Sequence, residues 1–363
     1  MTEIQFPAAL KEIRKILIIG PAWIGDMMMA HTLFQLLKQR NPKVIIDVLA
    51  SSWTRHLLIR MPEVHQVIDM PIGHGSFGFA ERRALGKELA AHHYDQAILL
   101  PNSFKSAFIP FFAGIPLRTG WRGEMRYGLL NDIRPLDKKR FPLMVQRYAA
   151  LALPKNSAPL DEYPFPRLVV DQQHRPQLVT KFGLRLDRPL LIICPGAEYG
   201  PAKRWPEHYF AEVADQKIRA GWQVWLMGSA KDREVTDAIG KLLLDDERRY
   251  CFNLAGETNL GEAIDLMDCA DMVLSNDSGL MHVAAALQKP LAVIYGSTSP
   301  EHTPPLAKQM VIISKPIECA PCFERECPLG HRKCLRELMP EQVLGALNAL
   351  ASQPLRRMTN LSV

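Results

Sequence analysis

The first half of the chain alternates short apolar runs with longer segments of helical periodicity. The runs that predict strands are KILIIG (15–20), VIIDVLA (44–50) and DQAILLP (95–101). Between the first two, residues 26–40 place apolar side chains at the spacing of one helix face, and another helical pattern follows residue 50. This alternation is typical of βαβ units, so it predicts a parallel sheet.

The second half repeats the pattern after a Pro-rich passage at 154–166, which predicts a linker. Its predicted strands are PLLIICPG (189–196), QVWLMGS (223–229), RYCFNLAG (249–256), DMVLSND (271–277) and PLAVIYG (290–296). We therefore expect an α/β protein of two Rossmann-like, doubly wound domains that face a central cleft, at 1–165 and 166–363. Its C-terminal helix is able to pack back on the first domain.

Composition narrows the class of protein. At 363 residues the chain suits two ordinary cores, and 47% apolar with 23% charged residues argues against extended disorder. The net charge of +6 is modest and its basic residues are scattered, so nucleic-acid binding is not indicated. No apolar run approaches the roughly 20 residues of a membrane span, and MTEIQFPAALKEIRK lacks the apolar centre of a signal peptide. We expect a cytoplasmic protein.

Ligands of doubly wound sheets bind beyond the carboxyl ends of the strands, so the loops there are the places to look for chemistry. The first is GPAWIGD (20–26), which leads into a helix and presents Asp26. This carboxylate is placed to act as a general base, or alternatively to cap the helix. A Walker phosphate loop is excluded because no Gly-Lys-Ser/Thr follows.

The second loop, PGAEYGPAKRWPEHYF (195–210), sets Lys203 and Arg204 just ahead of a predicted helix that begins near Pro206. Cationic side chains and unpaired backbone donors can there converge on one anion, such as a diphosphate. The alternative is an ordinary solvated Lys-Arg pair.

The third loop, GSAKDREV (228–235), carries two acids, Asp232 and Glu234. Either could accept hydrogen bonds from a ribose, as acidic residues do at the comparable place in nucleotide-binding folds. The alternative is a solvated helix start, where acidic residues are common.

The fourth loop, SNDSGLMHVAAAL (275–287), has the most specific chemistry. Asp277 and Ser278 can cap a helix, Gly279 lets a ligand approach the backbone, and His282 lies one turn on from Ser278. A capped helix with a buried core histidine is the alternative. What favours ligand binding at all four loops is their common position after predicted strands.

Two other regions stand out. Residues 102–134 are rich in Gly, Arg and aromatic residues, and such a long irregular segment is typical of a functional loop. Four cysteines cluster near the end with His331. They bind a structural zinc or iron–sulfur centre, remain reduced thiols, or pair adventitiously. These four are Cys319, Cys322, Cys327 and Cys334. The other three, Cys194, Cys251 and Cys269, lie in or beside apolar segments and suggest no disulfides.

The motifs GPAWIGDMMM, PGAEYGPAKRWP, LAGET and NDSGLMHVAAAL resemble those of the bacterial heptosyltransferases that build the lipopolysaccharide inner core. Residues 99–132, together with GHGSFGFAERRALG, resemble the branch that adds the second heptose. The resemblance implies a GT-B fold, with an acceptor on the first domain, ADP-heptose on the second, and an inverting transfer that requires no metal or other cofactor.

The resemblance also implies roles for individual residues. Asp26 takes the position of the catalytic base and Lys203 that of the lysine on the donor phosphates. The implied donor-binding residues are Asp232, Thr258, Asn276, Asp277, Ser278, Gly279 and His282, with Asp232 on the ribose side and Thr258 near the adenine. The acceptor is an anionic lipid-linked oligosaccharide, for which the candidates are Lys105, Arg118, Arg122 and Arg126. Peripheral contact with the inner membrane is compatible with such an acceptor.

Three other functions remain open at this point. A nucleotide-sugar epimerase would share the architecture, although the GD pair at 25–26 and the arginine-rich segment favour transfer. The paralogous transferase that adds the first heptose would share the donor loops. A metal-dependent binding protein organised around the cysteines is the third, and metal content would test it.

Overall fold

The computed structural model describes residues 13–73 and 75–352. The chain divides into two compact units, Met1–Val169 and Val170–Val363, so the division falls just after the Pro-rich passage. Residues 1–12, which include most of the segment used to judge a signal peptide, lie outside the described residues, as do His74 and residues 353–363. Among the helices described, none combines the length and hydrophobicity needed to cross a bilayer.

The first unit is built on a six-stranded parallel sheet of order β3-β2-β1-β4-β5-β6. Its strands are β1 (Lys15–Ile19), β2 (Ile45–Ala50), β3 (Gln66–Asp69), β4 (Gln96–Leu99), β5 (Leu117–Trp121) and β6 (Asp132–Arg134). Its helices are α1 (Ile24–Arg40), α2 (Arg55–Leu58), α3 (Phe79–Leu89), α4 (Phe108–Phe112) and α5 (Met144–Ala152). The central strands are mainly apolar because both faces of a parallel sheet are covered by helices.

The segment 102–134 is more regular than its composition predicted. It contains a 3-10 turn at Phe104–Ala107, helix α4, strand β5 and the edge strand β6. These strands carry Arg, Thr, Gly and Asp in place of an apolar run, so only their pairing with β4 and with each other identifies them. The expectation of a long irregular loop was therefore wrong.

The second unit has its own six-stranded parallel sheet, of order β12-β11-β10-β7-β8-β9. Its strands are β7 (Leu190–Cys194), β8 (Gln223–Leu226), β9 (Cys251–Asn253), β10 (Met272–Asn276), β11 (Leu291–Tyr295) and β12 (Met310–Ser314). Its helices are α6 (His174–Lys181), α7 (Glu207–Arg219), α8 (Arg233–Leu242), α9 (Asp245–Arg248), α10 (Leu260–Met267), α11 (Gly279–Ala286), α12 (Lys333–Arg336) and α13 (Pro340–Ser352). The α/β prediction is confirmed, and each predicted strand is present.

Helix α13 packs on the sheet of its own unit. Val343, Leu347 and Leu350 are buried in the core with side chains of β11 and α7, and Lys217 of α7 donates to Asn348 at 2.8 Å. The apolar stripe of this helix is used within the second unit. That the helix also packs back on the first domain stays a prediction.

Both sheets change winding direction at one point. In the first unit the chain leaves β1 for β2 on one side and returns to β4 on the other, and in the second unit β8 and β10 flank β7 in the same way. Loops after the strands at such a point diverge and leave a crevice, which is where open α/β sheets bind ligands. The loops in question follow β1, β4, β7 and β10.

Candidate active site

Asp26 lies in the first turn of α1, the helix that follows β1 at the winding change of the first sheet. Helix α1 begins at Ile24, and its N-cap is Trp23, which makes no side-chain capping bond. Asp26 is therefore the third helical residue, half-buried, and the alternative that it caps the helix is wrong. A carboxylate in a first turn is stabilised by the positive end of the helix dipole. This position therefore favours the ionised form of Asp26, which is the form that a general base requires.

Gly20 explains why α1 can start so close to the sheet. A Cβ at this position would lie 2.7 Å from the Met27 side chain and 3.3 Å from the Ala50 Cβ. A side chain at this position would require the flexible end of Met27 to move and would crowd Ala50. Gly20 thus allows close packing between the end of β1 and helix α1.

Tyr148 on α5 is a partner of Asp26 that the sequence did not reveal. The two side chains are hydrogen-bonded, and the Tyr148 ring is 6% exposed. Burial raises the pKa of Tyr148 well above its usual value, and the neighbouring Asp26 carboxylate raises it further. The phenol therefore stays protonated and donates a hydrogen bond to Asp26. A buried donor of this kind fixes the orientation of the carboxylate.

Lys203 and Asp277 meet at the winding change of the second sheet. Lys203 ends the 3-10 turn Pro201–Lys203 after β7, and Asp277 follows β10, the neighbouring strand. The Lys203 Nζ lies 2.5 Å from the Asp277 Oδ2, with side chains 13% and 5% exposed. Thr298, after β11, donates to the same oxygen at 2.6 Å. The two motifs that predicted a phosphate site therefore form one cluster.

Asn276 holds the loops of this cluster together. It is fully buried, its Nδ2 donates to the Pro195 carbonyl at 2.6 Å, and its Oδ1 accepts from the Trp205 amide at 3.3 Å. The sequence placed Asn276 among the donor-binding residues. Because its side chain is used between the β7 and β10 loops, we reassign it to positioning them.

Helix α11 begins beside Asp277. Ser278 is its N-cap and accepts from the Met281 amide at 3.5 Å, and Gly279 is its first residue, as the motif predicted. The amides of a first helical turn have no partner within the helix, so they are available to an anion. His282 is buried one turn further along the helix, and this burial lowers its pKa to about 4. The Asp277 carboxylate raises the pKa of His282 and the Lys203 cation lowers it, but burial has the largest effect. The imidazole is therefore neutral at pH 7.

Asp232 and Thr258 lie at the carboxyl ends of β8 and β9. Asp232 is 8% exposed, and its Oδ2 accepts from the Ser229 amide at 2.9 Å and from the Ser229 hydroxyl at 2.8 Å. A Cβ at Gly196 would lie 2.3 Å from the same carboxyl group. Asp232 thus braces the β7 and β8 loops, which contradicts the alternative of a solvated helix start. Thr258 is half-buried in the turn before α10.

Two of the four acceptor candidates have structural partners that the sequence did not show. Arg126 is fully buried and donates to the Pro101 carbonyl at 2.8 Å and to the Trp121 carbonyl. Burial lowers the pKa of Arg126 to about 10, still well above neutral pH. Arg118 donates to the Ile115 and Leu129 carbonyls at 2.5 and 2.6 Å. The assignment of Arg126 to acceptor binding was wrong, and Arg118 mainly joins β5 to the next turn.

The other two candidates remain accessible. Arg122 is exposed in the turn after β5, and among the described residues its guanidinium makes no hydrogen bond. Lys105 is half-buried after β4 and donates to the Ser76 carbonyl at 3.0 Å. Both follow strands at the carboxyl edge of the first sheet, the edge that also carries Asp26.

The cysteine-rich segment supports the Lys203 loop. Ala202 donates to the Arg325 carbonyl at 3.0 Å, and the Tyr199 hydroxyl donates to the Phe323 carbonyl at 2.5 Å. A Cβ at Gly200 would lie 2.3 Å from the Arg325 oxygen, so only glycine permits this approach. The Tyr199 ring contacts two cations, with Lys203 at 4.9 Å and Arg325 at 5.3 Å. This contact with the second motif was not visible in the sequence.

The cysteines are free thiols. Within residues 13–73 and 75–352, no three His, Cys, Asp or Glu side chains are arranged to hold a metal ion. The pKa of Cys334 is raised by burial and, after it, by interactions with Cys319, Cys322 and Cys327. The four clustered thiols are therefore close in space. Backbone amides, chiefly that of Arg332, lower the pKa of Cys327. Metal binding at these four cysteines therefore stays a prediction.

Known proteins share this sequence and architecture. The family model of glycosyltransferase family 9 (heptosyltransferase) matches residues 82–333. Lipopolysaccharide heptosyltransferase 2 of Escherichia coli is 49% identical over 344 residues, covering 93% of this chain and 99% of that protein. Lipopolysaccharide heptosyltransferase 1 of Pseudomonas aeruginosa is 26% identical over 344 residues, covering 91% of this chain and 93% of that protein.

A solved structure agrees with both comparisons. That of E. coli ADP-heptose lps heptosyltransferase II superposes with a TM-score of 0.85 at 48% identity, covering 93% of this chain and 98% of that one. The two Rossmann-like units therefore form a GT-B type fold, and the resemblance seen in the motifs is confirmed over nearly the whole chain. The chain is a glycosyltransferase and belongs to glycosyltransferase family 9, the heptosyltransferases.

Proposed function

We propose that this enzyme transfers L-glycero-D-manno-heptose from ADP-heptose to the first heptose of the lipopolysaccharide inner core, with inversion at the anomeric carbon. The observation that carries the proposal is the cluster of Lys203, Asp277 and the α11 N-terminus at the winding change of the second sheet. Such a cluster suits the diphosphate of a nucleotide-sugar. The relatives at 48–50% identity bear the name heptosyltransferase 2, which supports the choice of acceptor.

The donor is assigned to the second unit. Lys203 and the amides at Ser278 and Gly279 bind the diphosphate, while Thr258 lies near the adenine. When the donor binds, Lys203 exchanges part of its interaction with Asp277 for the phosphate oxygens, and Thr298 continues to donate to Asp277. A carboxylate that already has a hydroxyl donor loses less when its lysine turns away.

The acceptor is assigned to the first unit, with Asp26 as the general base. Asp26 takes the proton of the acceptor hydroxyl while that oxygen forms a bond to the anomeric carbon, and the bond from this carbon to the diphosphate breaks on the opposite face. Tyr148 donates to Asp26 and holds it in the ionised, oriented form. Lys203 and the α11 amides stabilise the negative charge that develops on the departing ADP. No step assigned to these residues uses a metal or another cofactor.

The acceptor itself is an anionic oligosaccharide carried by a lipid. Arg122 and Lys105 are the basic residues that we assign to it, because both lie on the Asp26 edge of the first sheet. We place the enzyme in the cytoplasm, in peripheral contact with the cytoplasmic face of the inner membrane.

The test is a transfer assay with ADP-heptose and core acceptors that carry either no heptose or one heptose, following ADP release and product mass. We expect addition to the one-heptose acceptor alone. Addition only to the heptose-free acceptor would assign the enzyme to the first transfer, and absence of transfer to both would overturn the proposal.

A further inference from the structure

Six phenylalanines form a continuous aromatic cluster on the α3–α4 side of the first unit. Neighbouring rings lie with centroids 5.0–6.5 Å apart, mostly edge to face. The members of this aromatic patch are Phe77, Phe79, Phe104, Phe108, Phe111 and Phe112. Phe77, Phe79 and Phe111 are 52%, 45% and 41% exposed, so half of the patch faces solvent. None of these rings has a role in the proposed transfer.

Helix α3 separates its charges around the patch. At about 100° per residue, Phe79, Arg83 and Lys87 fall along one flank of the helix, within roughly 80° of one another. Glu81 and Glu88 fall together on the opposite flank, and the buried residues Leu85 and Leu89 lie between the two flanks. The flank on the side of the patch is therefore basic.

Basic groups also contact the rings directly. The Arg83 guanidinium lies 5.9 Å from the Phe112 ring, and that of Arg118 lies 5.6 Å from the Phe111 ring. Lys105 follows Phe104 in the chain and donates to the carbonyl of Ser76, the neighbour of Phe77. The patch thus has a basic rim.

One acid beside the patch, Glu124, is hydrogen-bonded to the backbone of a patch residue. The Glu124 carboxylate accepts from the Phe104 amide at 2.5 Å. The turn that contains it extends the apolar surface with two further side chains, since Met125 is 77% and Tyr127 62% exposed. This turn is fixed beside Phe104 because the Glu124 amide donates to the Asn102 carbonyl at 3.1 Å.

We propose that the aromatic patch docks the first unit on the surface of an anionic phospholipid bilayer. The exposed rings enter the boundary between headgroups and acyl chains, and the basic rim lies over the anionic headgroups. Contiguous exposed apolar patches are uncommon on soluble proteins unless they mark a binding surface, and the basic rim specifies an anionic one. The inference rests on the proposed function, because a lipid-linked acceptor is itself anchored in such a bilayer.

The test is co-sedimentation of the full-length enzyme with vesicles of phosphatidylethanolamine and phosphatidylglycerol, and with vesicles of phosphatidylcholine, all without acceptor. We expect binding to the anionic vesicles, weakened by salt. Phe77→Ser/Phe111→Ser should lower the partition coefficient at least about tenfold. Arg83→Gln/Lys87→Gln should lower it about fivefold per charge.

A matched control removes the same kind of exposed apolar surface elsewhere. Leu242 and Leu244 are 56% and 61% exposed in the second unit, and Leu242→Ser/Leu244→Ser should bind the anionic vesicles as the wild type does. Transfer to a deacylated, water-soluble acceptor should be unchanged in all three double variants. That assay reports the proposed function separately, so its failure in the wild type would overturn the function without touching vesicle binding.

Three results would overturn the docking proposal. The wild type could fail to bind anionic vesicles, or Phe77→Ser/Phe111→Ser could bind them undiminished. In a further set of anionic vesicles with acceptor added, the variant could lose only the extra binding that acceptor confers, which would assign the rings to the acyl chains of the acceptor. Light scattering of the soluble enzyme covers a fourth case, because a dimer that the same variant dissociates would show that a second copy covers the patch.

Discussion

Removing the Lys203 ammonium should affect both stability and donor binding, and the structure predicts the two effects separately. Lys203→Ala leaves the Asp277 carboxylate, only 5% exposed, without its cation. Breaking a buried pair in this way costs about 3–5 kcal/mol. The cost should be nearer about 2–3 kcal/mol here, because Thr298 still donates to Asp277 and Lys203 itself is partly exposed.

A second substitution should separate the two effects. Lys203→Ala/Asp277→Asn removes the unpaired charge as well, so we expect it to recover most of the lost stability. It should not recover affinity for ADP, which loses a charge-assisted interaction of about 1.5–3 kcal/mol, or roughly 10- to 150-fold, in both variants.

The assays are urea unfolding of the ligand-free enzyme and calorimetric titration with ADP. Asp277→Asn alone, which leaves Lys203 in place, is the matched control for loss of the carboxylate. Unchanged stability of Lys203→Ala, or equal instability of the double variant, would refute the claim that the pair is a buried and mutually compensated unit. Unchanged ADP affinity would refute the role of Lys203 at the phosphates.

Three further predictions concern other parts of the site. Tyr148→Phe removes the hydroxyl that donates a hydrogen bond to Asp26. The acid limb of the pH dependence of kcat/KM should therefore move up by about one pH unit, while the affinity for ADP-heptose stays the same. An unmoved acid limb would show that the hydroxyl does not act on the base. Arg126→Ala should destabilise the protein by about 3 kcal/mol or more in unfolding measurements, because buried carbonyls lose their hydrogen-bond donor. Arg122→Ala should change the stability by less than about 0.5 kcal/mol. In kinetic assays it should raise only the KM for acceptor. The pKa of His282 is about 4 in the folded protein, against 6.5 for a free histidine. As the pH falls from 7 to 4, the unfolded state therefore binds this proton first and is stabilised relative to the folded state. The free energy of unfolding should drop by about 3 kcal/mol more in the wild type than in His282→Gln over this range.

The centres of both sheets could be predicted from the sequence because their strands are short runs of Ile, Leu and Val. The last two strands of the first sheet, β5 and the edge strand β6, could not, since LRTGW and DIR have no apolar run and are defined by pairing with a neighbour. Strand β12, MVIIS, has the apolar pattern but was missed between two irregular segments. The register of an edge strand depends on the sheet already formed beside it.

For the site, sequence reasoning found the side chains but not their partners. Asp26, Lys203 and Asp277 could be placed because each follows a strand, and ligand sites occur at strand ends. That Lys203 pairs with Asp277, 74 residues away, follows only once β7 and β10 are neighbours.

Side chains that bind the backbone were the hardest to judge. The sequence predicts Arg126 to be exposed, because it lies in a polar segment rich in arginine. Its partners are carbonyl oxygens of nearby turns, and every residue type has such an oxygen, so the sequence does not indicate the contact. Tyr148 lies in an ordinary apolar helix pattern, and nothing in that pattern distinguishes a ring that reaches Asp26 from any other core residue.

The central claim is that Asp26 is the base for sugar transfer, and Asp26→Asn tests it most directly. The measurement is single-turnover transfer from ADP-heptose to the one-heptose acceptor, with donor affinity determined on the same protein. We predict a rate at least about a hundredfold lower with donor affinity nearly intact, because an amide keeps the shape but cannot accept the proton. A near-normal rate would contradict the assignment of the base and the mechanism built on it.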